Sequence, residues 1–270
     1  MDFPLSRQVA PNLTFVAETG STNADLIQNS ANTDDFSVLV AGFQTAGRGR
    51  AGRDWVAPSG SSLFVSVLLK PAGVAATNFS WLPLLAGLAM TKTVAKFLPE
   101  GEVGLKWPND VLVGEKKISG VLSELIGDQS GVVIGAGLNL LQQQTDLPID
   151  NATSLAIEGA SPINLDEVLA GYLANLRELY LEWVQASGNA VASGLRNQVI
   201  QACSTLGNSG SQRSGNNRVR AILPASASEE SEILGAAVGI DDTGRLIVQP
   251  DGQSEVIAVA AGDIVHLRHN

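Results

Sequence analysis

Two apolar segments, separated by a stretch rich in glycine and arginine, constrain this fold more than any other feature of the sequence. Residues 37–43 (SVLVAGF) and 62–69 (SLFVSVLL) are rich in β-branched and apolar side chains and are bounded by Gly, Ser and Pro. This pattern predicts two buried strands. Everything between them is predicted to be loop.

The other periodicities predict a mainly antiparallel or mixed sheet together with helices. Apolar residues recur at helical spacing over 83–98 and 165–186, and a further helix is predicted at about 189–204. Four short segments predict additional strands: 103–107, 111–113, 118–125 and 131–139.

The C-terminal part of the chain has a different character. Residues 207–217 (GNSGSQRSGNN) are polar and glycine-rich, which predicts a flexible linker or an insertion. Strand-like segments then alternate with turn signals over 218–268, which predicts a small β-barrel of about fifty residues. We therefore predict one domain over 1–204 and a second over 205–270.

Composition excludes several classes of protein. No apolar run approaches the ~18 residues of a membrane span, and the N-terminus lacks the basic and apolar regions of a secretory signal. We therefore expect a soluble, cytoplasmic protein with no membrane partner. The single cysteine, Cys203, excludes an intrachain disulfide and a cysteine metal cluster. Cys203 has no histidine nearby, since His266 and His269 lie at the C-terminus, so catalytic triads and histidine-ligated metals are disfavoured.

The charge distribution favours a small anionic ligand. A net charge of −10 disfavours a surface that follows nucleic-acid phosphates. Within the first half of this acidic chain, however, cationic side chains are clustered: Arg48, Arg50, Arg53, Lys106, Lys116 and Lys117.

Glycines and arginines alternate in residues 44–53 (QTAGRGRAGR). Glycine permits close approach of the backbone, and arginine supplies fixed donors for phosphate or carboxylate oxygens, so this segment predicts an anion clamp. The alternative is a solvated basic loop or a nucleic-acid tract, but such tracts usually repeat many times. We predict that 45–53 is disordered without ligand, because glycine and like charge oppose packing.

Four further motifs are less specific when taken singly. KWPND (106–110) and KKISG (116–120) predict a hairpin with charged ends. GSTN (20–23) is typical of a capped helix start, and its side chains could equally bind a polar group of a ligand. GAGLN (135–139) lacks the third glycine of a dinucleotide fingerprint, and the chain contains no GxxxxGK[ST]. Any nucleotide would therefore have to be held in another way.

In this order, the motifs GSTN, QTAGRGRAGR, KWPND, KKISG, GAGLN and the closing AGDIVHLR resemble those of the biotin–protein ligase family. The resemblance implies an α+β fold: a mixed-sheet catalytic domain like those of class II synthetases and lipoate ligases, followed by a small SH3-like β-barrel. The alternative is a lipoate–protein ligase, which is disfavoured because GRGRAGR and KWPND are biotin-side motifs. A biotin-responsive repressor would need a winged helix-turn-helix of roughly sixty residues before GSTN. Because GSTN begins at residue 20, we expect no DNA partner.

The resemblance also implies roles for individual residues. Those implied in biotin binding are Ser21, Thr22, Asn23, Gln44, Gly49, Lys117, Gly135 and Gly137. Those implied in ATP or adenylate binding are Arg48, Arg50, Arg53, Trp55, Lys106, Asn109 and Asn139. Lys117, Arg48, Arg50 and Asp110 are implied in catalysis. The sequence departs mildly from the family pattern at Ala51, where arginine is frequent, and at KISG, where KLAG or KLSG is usual.

The implied reaction consumes biotin and ATP with Mg²⁺. No metal site is expected from the protein alone, and Mg²⁺ would arrive with ATP near Asn109 and Asp110. The implied partner is the carrier domain of acetyl-CoA, acyl-CoA or pyruvate carboxylase, and we expect a monomer or a weak homodimer. A carboxylate is already ionised at pH 7, so its attack on a phosphorus needs no base, which agrees with the scarcity of histidine.

Overall fold

The computed structural model describes residues 1–207, 217–223 and 232–267. Within them, a seven-stranded sheet with five helices is followed by a five-stranded sheet. The helices are α1 (Pro4–Val9), α2 (Thr22–Asn29), α3 (Leu82–Phe97), α4 (Leu165–Gln185) and α5 (Leu195–Ala202). The larger sheet contains β1 (Leu13–Val16), β2 (Ser37–Ala41), β3 (Ser62–Leu69), β4 (Val103–Lys106), β5 (Asp110–Val113), β6 (Lys116–Leu125) and β7 (Val132–Asn139).

The larger sheet is mixed, as the sequence predicts. Its strand order is β1-β2-β3-β7-β6-β5-β4, with β1 parallel to β2 and every other pair antiparallel. The predicted strand pair at 37–43 and 62–69 forms β2 and β3, which are buried along their whole length. The loop between them crosses the carboxyl end of β2, where it can cover one face of the sheet.

Alternation along the strands divides the sheet into two faces. On β7, Ile134, Ala136 and Leu138 belong to the large apolar core that includes α3 and α4. The alternate positions, among them Gly135 and Gly137, turn to the opposite face, where α2 packs. Small residues on that face leave room for a cavity beside α2.

The C-terminal sheet consists of β8 (Arg218–Ile222), β9 (Glu232–Ile240), β10 (Leu246–Pro250), β11 (Ile257–Val259) and β12 (Asp263–His266). It is wholly antiparallel, in the order β11-β10-β9-β8-β12, and agrees with the expected SH3-like domain. Its 241–245 turn contacts the first domain, because the indole nitrogens of Trp81 and Trp107 donate to the carbonyls of Asp242 and Gly244 at 2.8 and 3.0 Å. One apolar core extends through both sheets.

The segment between α4 and β8 differs from its prediction in the length of its helix. The predicted helix at 189–204 was too long, because Gly194 takes a left-handed backbone (φ +75°) and α5 begins only at Leu195. Cys203 follows that helix and is fully buried, and burial raises the pKa of its thiol, which opposes nucleophilic chemistry. Most of the predicted linker lies outside the described residues, and the boundary at 204/205 stays a prediction.

Candidate active site

A cavity of about 550 Å³ lies on the α2 face of the larger sheet. Segments far apart in sequence line it: the start of α2, the loop after β2, and strands β5, β6 and β7. Almost every residue singled out from the sequence lies around it: Ser21, Thr22, Asn23, Gln44, Arg48, Gly49, Arg50, Arg53, Trp55, Asn109, Asp110, Lys117, Gly135, Gly137 and Asn139. Lys106 does not line the cavity, and its contact with ATP stays a prediction.

The floor of the cavity is a set of interlocked polar side chains at the start of α2, which we call the polar floor (Thr22, Asn23 and Gln44). Ser21 is the N-cap residue of α2, but its side chain makes no capping hydrogen bond. The backbone N–H of Thr22 instead donates to Gln44 Oε1 at 2.8 Å. The buried Ser66 hydroxyl lies beneath, 2.6 Å from Asn23 Oδ1. The polar floor is therefore built on the sheet itself.

Two glycines of β7 make room for side chains around the cavity. A Cβ on Gly135 would lie 2.3 Å from Asn23 Oδ1, and one on Gly137 would lie 2.5 Å from the Trp55 ring. Real Cβ atoms do not approach so closely, so both positions require glycine for the amide and the indole to lie flat against the strand. Direct backbone contact of these glycines with biotin stays a prediction.

The loop of residues 45–53, the arginine loop, forms one wall of the cavity. Arg48 pairs with Glu124 of β6, with 3.2 Å between Nη1 and Oε1. Arg50 donates to Asn109 Oδ1 at 2.8 Å and to the carbonyl of Gly262 at 3.3 Å. Burial lowers the pKa of Arg50, an effect that Asp263 and Asp110 oppose. The third arginine, Arg53, pairs with Asp263 at 2.9 Å. Disorder of the loop without ligand stays a prediction.

Lys117 and Asp110 also line the cavity. Lys117 Nζ lies 2.7 Å from Asp110 Oδ1 and 5.4 Å from the centroid of the Trp55 ring. About a quarter or less of each ionic side chain is exposed, 26% and 21%. Burial lowers the pKa of the neighbouring Lys106. The charge of Asp110 opposes this shift, and the charge of Lys117 reinforces it. This concentration of cationic groups can stabilise negative charge in the cavity.

The two amides predicted to meet the nucleotide are already bonded to the protein. Asn109 accepts from Arg50 and donates to the carbonyl of Val121 at 2.7 Å. Asn139 donates to the carbonyl of Thr153 at 2.9 Å and accepts from Gln142 at 3.0 Å. A nucleotide contact by either amide would therefore share or replace an existing hydrogen bond.

Several site residues were missed from the sequence. Ser66 and Glu124 lie within strands and follow no motif, although an acidic residue inside a predicted strand is a signal that could have been noticed. Gly262 and Asp263 belong to the C-terminal domain, and only tertiary structure brings them to the arginine loop. Pro148, Ile149 and Ala152 also line the cavity.

Two features are absent from residues 1–207, 217–223 and 232–267. These residues contain no group of three or more His, Cys, Asp or Glu side chains arranged to hold a metal ion. In the same part of the chain, no helix has the length and apolar character needed to cross a membrane.

Comparison with known proteins agrees with this geometry. Residues 15–139 match the biotin/lipoate A/B protein ligase family, and residues 218–267 match the biotin protein ligase C-terminal domain. The biotin–[acetyl-CoA-carboxylase] ligase of Mycobacterium tuberculosis is 38% identical over 260 residues, which cover 95% of this chain and 89% of that protein. The chain belongs to the biotin protein ligase family.

Other family members extend the comparison. The bifunctional ligase/repressor of Escherichia coli is 31% identical over 238 residues, covering 86% of this chain and 67% of that protein. The Aquifex aeolicus biotin protein ligase in complex with biotin and ATP superposes with a TM-score of 0.75 at 28% identity. That superposition covers 96% of this chain and 99% of the Aquifex chain. As a family member, the chain shares both the catalytic domain and the C-terminal domain of these proteins.

Proposed function

We propose that this biotin protein ligase family member activates biotin with ATP and transfers it to a lysine of a carrier domain. The observation that carries this function is the pairing, in one cavity, of a neutral polar floor with a cationic wall. Thr22 and Gln44 offer hydrogen bonds at the floor, and Lys117 and the loop arginines offer positive charge nearby. A ligand with a neutral ureido ring at one end and a carboxylate at the other matches both.

In the first step, a carboxylate oxygen of biotin attacks the α-phosphorus of ATP, pyrophosphate leaves, and a mixed anhydride forms. The principal barrier is repulsion between two anions, because the carboxylate is ionised and needs no base. Lys117 lies where it can contact both the carboxylate and the α-phosphate. Arg48 and Arg50 close over the phosphate from the other side, and Gly49 lets the backbone approach. The same closure keeps water from the anhydride.

The nucleotide occupies the side of the cavity near Asn139 and Ala152, with Trp55, Arg53 and Lys106 around its phosphate end. Mg²⁺ usually binds one or two carboxylates together with substrate phosphates. Asp110 is a carboxylate beside the phosphate position, and Asn109 supplies an amide oxygen, so the donor set fits this pattern. When bound, Mg²⁺ would offset the negative charge of the phosphates.

In the second step, the amine of the carrier lysine attacks the acyl carbon of the anhydride and AMP leaves. The amine must lose a proton, and we assign the orientation of the incoming amine and the acceptance of that proton to Asp110, the carboxylate paired with Lys117. Lys117 is then placed to stabilise the charge on the departing phosphate.

The partner is proposed as the biotin carboxyl carrier domain of acetyl-CoA, acyl-CoA or pyruvate carboxylase. The C-terminal domain, with its boundary at 204/205, helps to hold that carrier, since Asp263 and Gly262 reach the arginine loop. The protein is further proposed to act in the cytoplasm as a monomer or weak homodimer without a DNA partner, which its net charge of −10 supports.

The decisive assay measures ATP- and Mg²⁺-dependent transfer of biotin and, separately, of lipoate to a carboxyl carrier domain. We expect biotin transfer that disappears without ATP, and no lipoate transfer. A control carrier whose target lysine is replaced by arginine should remain unlabelled. Transfer of lipoate instead of biotin, or no transfer at all, would refute the proposed function.

A further inference from the structure

A chain of hydrogen-bonding groups runs beneath the polar floor and ends at Glu124. Gln44 Oε1 lies 3.1 Å from Thr22 Oγ1, which lies 2.7 Å from Ser66 Oγ. Ser66 Oγ lies 2.6 Å from Asn23 Oδ1, and Asn23 Nδ2 donates to Glu124 Oε2 at 2.7 Å. Ser66 is fully buried, so water cannot enter the middle of this chain.

The amide groups at the two ends of the hydroxyl pair have fixed orientations. Gln44 must present its oxygen to Thr22, because the Thr22 backbone N–H donates to it. Asn23 must present its nitrogen to Glu124, because the carboxylate and the carbonyl of Leu122, 3.3 Å away, can only accept. An acceptor oxygen therefore stands at each end of the Thr22–Ser66 pair.

Two hydroxyl hydrogens must then serve three oxygen–oxygen contacts. Thr22 and Ser66 contribute one hydrogen each. The contacts are Gln44–Thr22, Thr22–Ser66 and Ser66–Asn23, so one of them has no hydrogen between its oxygens. The Gln44–Thr22 contact is the longest at 3.1 Å, and leaving it empty costs least. Ser66 then donates to Asn23, and Thr22 donates to Ser66.

We propose that Glu124 is a positioning residue that sets the direction of this chain and thereby selects a ligand with an N–H donor. With the chain in this direction, Thr22 Oγ1 and Gln44 Oε1 are two acceptors that line the cavity and share no hydroxyl hydrogen. An N–H placed between them supplies the missing hydrogen. The inference rests on the proposed function, because a ureido ring brings such an N–H and a dithiolane ring does not.

Replacing Glu124 by glutamine makes the opposite direction available. The new amide can donate to Asn23 Oδ1, so the Asn23 amide can turn over and donate to Ser66. Ser66 then donates to Thr22, and Thr22 donates to Gln44, so that every contact has its hydrogen. The acceptor pair facing the ligand disappears, at the cost of the long contact between the Asn23 amide nitrogen and the Leu122 carbonyl. Affinity for biotin should therefore fall, and the substitution also removes the ion pair with Arg48.

The test is a double cycle that combines the Glu124→Gln substitution with loss of a ureido N–H from the ligand. Calorimetry would measure binding of biotin and of two analogues, each with one ureido N–H replaced by CH₂, in the absence of ATP. For the wild type we expect one analogue to bind about 10–100-fold more weakly than biotin. E124Q should bind biotin more weakly than the wild type does, by a similar factor. Its affinity for that analogue should be less than about threefold below its affinity for biotin.

Three comparisons make the result decisive. E178Q removes a carboxylate from the exposed face of α4 and should leave the wild-type pattern intact. R48M removes the ion pair on Glu124 but keeps the carboxylate, so it should retain sensitivity to the N–H. The Tm of E124Q should lie close to that of R48M, because both variants lose the same ion pair.

Two results would overturn the inference. One is a loss of affinity on removing the ureido N–H that is as large in E124Q as in the wild type. The other is a Tm of E124Q so far below that of R48M that unfolding accounts for its weaker binding. Loss of N–H sensitivity in R48M would overturn it as well, because the arginine loop would then carry the effect. Failure of the wild type to bind biotin would refute the proposed function together with the inference.

Discussion

The polar floor and the arginine loop meet the same cavity but are held in different ways. Thr22 and Asn23 lie at the start of a helix packed on the sheet, are 3% and 4% exposed, and bond to neighbours on three elements. The arginines lie on a loop that forms a short 3₁₀ turn over Arg50–Gly52 and a bridge between Arg48 and Asp54. Their side chains reach Glu124, Asn109 and Asp263 on separate parts of the chain. Arg48 and Arg53 remain about half exposed, at 45% and 58%.

The contrast separates recognition from chemistry. A neutral ring is recognised by hydrogen bonds whose geometry is fixed beforehand, since a rigid site loses little entropy on binding. Phosphate charge is better met by groups that can withdraw to admit ATP and then close. Substitutions in the polar floor should therefore lower affinity for biotin, whereas substitutions in the arginine loop should affect the reaction and the retention of its intermediate. A substitution between the two regions should reduce activity most.

The largest effect is expected for Lys117→Ala, which removes the cation between the two regions. Formation of biotinyl-adenylate should fall by about 10²–10³-fold, the usual loss when a preorganised donor to developing charge is removed. Pyrophosphate release would measure it. Lys116→Ala changes the exposed neighbour and should stay near the wild-type rate. Similar losses in both variants would mean that overall charge, and not the position of Lys117, matters.

Acid should loosen the support of the arginine loop by acting on the C-terminal domain. Burial, reinforced by Lys106 and opposed by Glu115, lowers the pKa of His266 to about 4, and its ring lies 3.3 Å from Thr205 Oγ1. The unfolded state takes up the proton first, near pH 6.5. Stability is thus complete above that pH and declines toward pH 4, by at most about 1.4 kcal/mol per pH unit.

Thermal unfolding between pH 4 and 7 would measure this decline, and His266→Gln should flatten it. A slope that H266Q leaves unchanged would assign the pH dependence to other groups.

Gly135→Ala should damage the polar floor and spare the loop. The added methyl would displace the Asn23 amide, at a cost of about 1–3 kcal/mol in stability and a fall in biotin affinity. Gly127→Ala is the matched control, because nothing lies within 4 Å of its Cβ position. Denaturant unfolding and calorimetry would report the two effects. Unchanged biotin binding in G135A would show that the amide need not lie against β7.

The smallest effect is expected for Asp263→Asn, which removes the partner of Arg53. Half-exposed ion pairs contribute at most about 1 kcal/mol, so stability should barely change, while escape of biotinyl-adenylate should rise by a few fold. Asp251→Asn breaks a similarly exposed pair with Arg218, within the C-terminal domain. Trapping released adenylate would compare them, and equal escape from both variants would contradict a role for the Asp263 contact.

The sequence predicted much of the fold because its signals were local. Strands β2 and β3 and helix α4 have strong periodicity, and their predicted bounds agree with the structure to within two residues. Strand β1 was missed, since its four residues (LTFV) are too few to show a pattern and gain stability by pairing with β2. The helix predicted at about 189–204 was too long. Gly194, inside that range, has a left-handed backbone, and α5 begins only after it.

The site was predicted where motifs exist and missed where topology alone creates it. Thr22, Gln44 and Lys117 occur in recognisable patterns, and the fold brings all three to one cavity. Ser66 and Glu124 belong to the site only because α2 packs on β3 and β7, which places the Asn23 side chain between them. No local pattern could have shown that Asp263, 210 residues away in sequence, would reach Arg53.

The central claim, a rigid floor beneath a loop that closes on its ligands, is tested most directly by amide hydrogen exchange. Peptides covering 45–53 and 132–139 would be followed in the free protein, with biotin, and with biotin plus ATP. We predict slow exchange of 132–139 in all three states, and exchange of 45–53 that slows by about tenfold or more only when ligand is bound. Equal protection of 45–53 with and without ligand would contradict the account.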